Sequence, residues 1–181
     1  MGDISVTKQL LVICGSMTHY ARMLDARNWL LAKDIPAKVP EDETIQRATL
    51  TNEAFSAYKR QVSDKYFRLI RSKPVFGILV INDPKHGISD YIGANTFAEI
   101  AIAFNANKRI YLLNGIPEVF AEELVSWGAI PLRAYLDPVV EHFTSIASQS
   151  AQYSLFGDIA MPEDKDNIDV DYSISFRNRP I

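Results

Sequence analysis

The sequence is poor in the residues on which several classes of protein depend. It contains one cysteine, Cys14, which excludes an internal disulfide and fits a reducing compartment. The 3 histidines, His19, His86 and His142, are scattered without metal-ligand spacing, so we expect no metal and no other cofactor. No apolar run approaches the roughly 18–20 residues of a membrane span, and no basic and apolar leader opens the chain. We therefore expect a cytoplasmic protein without a membrane partner.

The chain also lacks an excess of charge of one sign. It has 19 basic and 22 acidic residues, for a formal net charge of -3. This balance argues against a protein that grips the phosphate backbone of a nucleic acid polymer through a basic face. A single nucleoside or nucleotide needs only one or two local donors, so a small-molecule partner is compatible with the composition.

Alternating apolar segments predict an α/β protein. Strands are predicted at 9–14, 35–39, 75–81, 109–113 and 130–135, and helices at 18–33, 51–71, 95–107, 117–127 and 137–148. This alternation predicts a doubly wound, five-stranded parallel sheet with right-handed crossovers and the flavodoxin-like strand order 2-1-3-4-5. We assign residues 1–150 to this domain.

The C-terminal tail, residues 151–181, has a different pattern. It is rich in acids, yet apolar residues alternate strictly with polar ones between 168 and 176. That period is typical of a half-buried strand. We expect an extended arm that pairs with a sheet edge or with a neighbouring subunit. The alternative is a disordered acidic tail.

The segment 75–104 is the most informative for function. It combines an apolar run, typical of a strand buried on both faces, with a helix that is apolar almost all round. Asp83 and Asp90 lie between them, and Glu99 is expected in the first turn of the helix. Carboxylates are rarely buried without a partner or a purpose, and ligands of open α/β sheets bind where strands end. We therefore expect an active site here.

Several motifs carry a family resemblance. They are Cys14-Gly15-Ser16-Met17 after the first strand, Asn82-Asp83 after the third, the segment from Gly87 to Phe104, and RIYLLNGIPE from Arg109 to Glu118. Over about residues 9–140, the chain resembles the nucleoside 2-deoxyribosyltransferases and the related deoxynucleotide N-glycosidases, most of all their uncharacterised bacterial and archaeal members. The resemblance implies processing of N-glycosidic bonds, a homo-oligomer, and a catalytic glutamate at Glu99. The family's aspartate six residues earlier is Gly93 here.

The implied chemistry assigns roles to three acids. Glu99 would attack the sugar and form a deoxyribosyl-enzyme ester, much as retaining glycosidases use one of their two carboxyl groups. Asp83, with Asp90 as second candidate, would handle the proton of the leaving base. Each acid also has a structural interpretation. Glu99 completes a capping box with Thr96, Asp83 suits an Asx-turn, and Asp90 suits a solvated loop.

A second set of residues is expected to bind the substrate. It comprises Gly15, Ser16, Met17, Asn82, Tyr91, Gly93, Asn95 and Thr96. The competing interpretations are a tight strand-to-helix turn at Gly15-Ser16, helix capping at Asn95 and Thr96, and loop covering at Tyr91. The leading hypothesis is a deoxyribosyl transferase or hydrolase that acts on a nucleoside or nucleotide. The alternative, favoured by Gly93, is a non-catalytic nucleotide-binding or assembly protein of the same fold.

Overall fold

The computed structural model describes residues 9–42 and 48–155. Five strands form one parallel sheet: β1 (Leu10–Gly15), β2 (Ala37–Lys38), β3 (Val75–Ile81), β4 (Arg109–Leu112) and β5 (Ile130–Pro131). Their order is β2-β1-β3-β4-β5, which confirms the predicted α/β class and the order 2-1-3-4-5. The predicted strand at 168–176 lies outside the described residues.

Helices cover both faces of this sheet. They are α1 (Tyr20–Leu31), α2 (Asn52–Arg71), α3 (Ala94–Asn105), α4 (Ala121–Ser126) and α5 (Asp137–Leu155). Successive strand residues point to opposite faces, so Ile13 joins the core under α1 and α5 while Cys14 joins the core under α2, α3 and α4. None of the helices in the described residues is both long and apolar enough to cross a membrane.

The central strand, β3, has the bounds that the sequence predicts. All of β3, from Val75 to Ile81, is buried, because it is paired on both edges and covered on both faces. A continuous apolar run is the sequence consequence of such a position.

Predicted and observed elements differ mainly at the edges of the sheet. β2 has only two residues, and β5 ends at Pro131, which has no N–H for a further ladder hydrogen bond. The helix predicted at 117–127 is a 3₁₀ turn, Glu118–Phe120, followed by the short α4. In contrast, α5 continues past the predicted end to Leu155.

The helix that is apolar almost all round in sequence, α3, was expected to be buried, and this holds for only part of its surface. Its buried residues lie on one face, whereas the Phe104 side chain is 45% exposed. The outer face instead carries a ladder of aromatic rings. Phe97 stacks on Phe120 with ring centroids 4.2 Å apart, and Phe104 stacks on Trp127 at 5.1 Å. These ring contacts, made with residues at the two ends of α4, explain apolar residues on this partly exposed face of α3.

Candidate active site

A cavity of about 260 Å³ lies beyond the carboxyl end of β1, between α2 and the N-terminal half of α3. This is the switch point of the sheet, because β2 and β3 flank β1 on opposite sides. Most of the predicted site residues line the cavity: Gly15, Ser16, Met17, Tyr91, Gly93, Asn95, Thr96 and Glu99. Asn82, Asp83 and Asp90 do not line it.

The start of α3 decides between two roles for Glu99. Gly93 is the N-cap, and the Phe97 amide donates to its carbonyl at 2.9 Å. Glu99 therefore lies in the second turn of α3, and the prediction that it lies in the first turn is wrong. Because Thr96 is inside the helix rather than at its N-cap, the capping box between Thr96 and Glu99 does not form.

Glu99 is a buried carboxylate that still lines the cavity. The residue is 6% exposed, and its Oε1 accepts a hydrogen bond from Asn95 Nδ2 at 3.0 Å. The buried Cys14 side chain of β1 lies close to Glu99. Burial, together with the negative charge of Glu99, raises the pKa of Cys14 well above its ordinary value, so the thiol stays protonated. The pKa of Tyr66 is raised well above its usual range by burial first, then by Cys14 and Glu99.

No protein-family model, characterised protein or solved structure matches this chain. The function is therefore inferred from the residues of the site. Within residues 9–42 and 48–155, no cluster of three or more His, Cys, Asp or Glu side chains is placed to hold a metal ion. The chemistry open to the cavity is that of a carboxylate surrounded by hydroxyl, amide and ammonium groups.

The loop after β1 is held at the cavity by its own hydrogen bonds. Gly15 ends the strand at a φ of 154°, and Ser16 caps the following 3₁₀ turn by accepting from the Thr18 amide at 3.4 Å. Ser16 Oγ also accepts from Lys85 Nζ at 2.8 Å. A tight turn and a place in the cavity wall are therefore compatible interpretations of Gly15-Ser16.

Lys85 is a residue that the sequence analysis missed. Its ammonium lies 5.3 Å from the centre of the Tyr91 ring, so it joins two predicted substrate-binding residues, Tyr91 and Ser16. Lys85 is placed by a tight turn in which it pairs with Ile88 around residues 86–87, both of which have positive φ. Gly87 was the only local signal of this turn.

Asn82 and Asp90 tie the loop after β3 to the loop after β4. Asn82 is fully buried, donates to the Gly115 carbonyl at 2.8 Å and accepts from the Asn114 amide at 2.9 Å. The Asp90 carboxylate accepts from the Gly115 amide, also at 2.8 Å. These bonds satisfy backbone groups that the ends of the strands leave without ladder partners. Asp90 is therefore a half-buried loop acid that is hydrogen-bonded to the backbone, and it does not line the cavity.

Asp83 belongs to the same connection between loops. Its Oδ1 accepts from Asn114 Nδ2 at 2.8 Å, and its Oδ2 lies 3.7 Å from Arg22 Nε. The structure thus separates the three predicted acids into two groups. Glu99 lines the cavity, while Asp83 and Asp90 fix the loops beside it.

One wall of the cavity comes from α2, which the sequence analysis interpreted only as an amphipathic helix. Lys59, Val62, Ser63 and Tyr66 line it, and the Tyr66 hydroxyl donates to the Ile13 carbonyl of β1. Tyr66 is 7% exposed. The i, i+4 spacing of Val62 and Tyr66 is a sequence signal that indicates this face of the helix.

Proposed function

We propose that this protein breaks the N-glycosidic bond of a deoxynucleoside or deoxynucleotide, with Glu99 as the nucleophile. The observation that carries the proposal is a carboxylate that is 6% exposed, lines an open cavity and does not cap its own helix. Taking an ion out of water costs several kcal/mol, so a buried carboxylate needs a compensating purpose. The resemblance of the surrounding motifs to nucleoside 2-deoxyribosyltransferases supports the same residue.

In the first step, a Glu99 oxygen attacks C1′ of the deoxyribose, and the bond from C1′ to the base nitrogen breaks. The base leaves with the bonding electron pair and takes a proton, for which we assign the Tyr91 hydroxyl. In the second step, water attacks C1′, the ester bond to Glu99 breaks, and the proton of the water returns to Tyr91. The net result is free base and deoxyribose. With a second base in place of water, the same intermediate would give transfer.

We assign the proton step to Tyr91 because of the composition of the cavity. Among the described residues that line it, Glu99 is the one carboxylate. The paired carboxyl groups of a retaining glycosidase, about 5–5.5 Å apart, are therefore not supplied by Asp83 or Asp90. The Tyr91 phenol, which lines the cavity, is the alternative donor.

The same observation favours a second candidate function. A cavity with one carboxylate, and with Gly93 where the resemblance implies an aspartate, suits a nucleotide-binding protein without turnover. Such a protein would act as a sensor or as part of an assembly. The resemblance also implies a homo-oligomer for either function, which light scattering coupled to size-exclusion chromatography tests.

One experiment separates the two functions. The full chain is incubated with 2′-deoxynucleosides and with their 5′-monophosphates, and free base is measured by chromatography. For the enzyme, base release should be lost in Glu99→Gln and retained in Glu123→Gln, a matched change at an exposed glutamate of α4. Mass spectrometry of the quenched wild type should detect a deoxyribosyl adduct on Glu99. If base release matches buffer while a nucleotide still binds, the enzyme proposal is refuted.

A further inference from the structure

Asn95 is the group that reaches the Glu99 carboxylate from within α3. The two residues are four apart on the helix, which places their side chains on the same face. Both line the cavity, and Asn95 Nδ2 donates to Glu99 Oε1 at 3.0 Å. Asn95 itself is exposed, so its amide lies between the buried carboxylate and the open part of the cavity.

The orientation of this amide is set by the Glu99 carboxylate. An amide has one acceptor end and one donor end, and an ionised carboxylate can only accept. The NH₂ end of Asn95 therefore points at Glu99. Ser63 of α2 also lines the cavity, and its hydroxyl donates to Asn95 Oδ1 at 3.5 Å. The reversed amide would bring its oxygen against the carboxylate and lose that contact, whereas the Ser63 hydroxyl can bond to either end of the amide.

We propose that Asn95 is a positioning residue that holds the Glu99 carboxylate ionised and directed into the cavity, and that the Ser63 hydroxyl holds the far end of the Asn95 amide in place. This inference rests on the proposed function of Glu99 as nucleophile. A hydrogen bond donated to a carboxylate favours its charged form and restricts its rotation. Both effects serve a nucleophile that must be ionised and aimed at one carbon atom.

Other groups near Glu99 have to be separated from this effect. The titratable side chains that face it are Cys14 of β1, Tyr66 and Lys59 of α2, and Tyr91 of the loop before α3. The thiol and the Tyr66 phenol are kept neutral, because burial raises the pKa of each. Replacing Asn95 by a neutral residue leaves all of these groups in place, so a change in the titration of Glu99 reports the lost amide.

The test measures the Glu99 carboxyl directly in the full chain, by NMR of protein labelled with ¹³C at glutamate side chains. Glu99→Gln identifies its resonance. We expect Asn95→Ala to raise the pKa of Glu99, Asn95→Asp to raise it further through like-charge repulsion, and Ser63→Ala to raise it by less. Asn105→Ala, at an exposed asparagine at the end of α3, is the matched control and should leave it unchanged.

A kinetic measurement complements the titration. Asn95→Ala should lower kcat for base release by about 10- to 100-fold and move the acid limb of the pH profile to higher pH. An unchanged Glu99 titration in Asn95→Ala would overturn the inference, whatever the activity. A shifted titration in a protein that releases no base would instead retain the role of Asn95 and refute the proposed function, so the two failures are distinguishable.

Discussion

Replacing Gly15 with alanine is a sharp test of how β1 and β3 build the edge of the cavity. A Cβ at this position would lie 2.8 Å from the Ile81 backbone oxygen and 3.0 Å from the Met23 methyl carbon. The Met23 side chain can move, but the carbonyl belongs to β3, which is paired on both edges. The φ of 154° is also one that residues with a Cβ rarely adopt. Gly15→Ala should therefore be destabilised by two independent effects, the steric collision of the Cβ and the strain of the backbone.

Other glycines of the chain separate the two penalties. Gly87 has a φ of 74°, and a Cβ added there would have no atom within 4 Å, so Gly87→Ala measures backbone strain alone, about 1–2 kcal/mol. Gly77 has no such φ, but its Cβ would lie 2.9 Å from the Arg109 carbonyl oxygen, so Gly77→Ala measures the steric collision, about 1–3 kcal/mol. Gly15→Ala should combine strain of about 1–3 kcal/mol with a similar collision, for a loss of about 2–6 kcal/mol.

The assay is equilibrium urea unfolding of the full chain and the three variants. With a slope of about 2 kcal/mol per molar urea, the midpoint for Gly15→Ala should fall by about 1–3 M, with the slope itself unchanged. The urea midpoint of Gly87→Ala should fall by clearly less. If Gly15→Ala is no less stable than Gly87→Ala, the close approach of β1 to β3 is not as described, and the placement of the cavity edge fails with it.

Three further perturbations test separate parts of the structure. Tyr66→Phe removes the buried hydrogen bond to β1 and should cost about 1–2 kcal/mol in urea unfolding, whereas Tyr135→Phe, at a residue 70% exposed, should cost nothing. Asn82→Ala leaves two backbone groups of the β4 loop without its side chain and should cost about 2–4 kcal/mol; a loss under about 1 kcal/mol would contradict its bridging role. Burial, and then Arg109, lower the pKa of His142. The unfolded chain therefore binds more protons, and stability should fall as the pH drops below about 6.5. His142→Phe should lose less stability than the wild type between about pH 7.5 and about pH 5.5, and equal losses would refute this origin.

The elements that the sequence predicted best are those with one dominant environment. β3 is buried on every side, so its apolar run has a single interpretation, and its predicted bounds match the structure. Edge strands were predicted less well. β2 and β5 each have a neighbour on one side only and each pairs just two residues with it, so burial constrains the residue types of these strands less.

The candidate site divides in the same way. Glu99, Gly15 and Ser16 follow or face the ends of predictable elements, so their motifs were visible in the sequence. The roles of Tyr66 and Lys85 were not visible in the sequence. Each is placed at the site by a hydrogen bond to a residue more than fifty positions away in the chain. No local pattern encodes such a contact.

The sequence by itself determined the α/β class, the strand order and the segment in which a carboxylate meets the end of the sheet. Its hydrophobic periods fix the class and the buried segments, because burial on one or two faces constrains residue type directly. The strand order follows from the connection rules of doubly wound sheets. Only the tertiary structure decided which carboxylates face the cavity. In the sequence, Asp83, Asp90 and Glu99 are three carboxylates of one segment. In the folded chain, Asp83 and Asp90 accept hydrogen bonds from the loop after β4. The N-cap at Gly93 places Glu99 in the second turn of α3, in the cavity wall. That division depends on where backbone groups lack partners, which is a property of the folded chain.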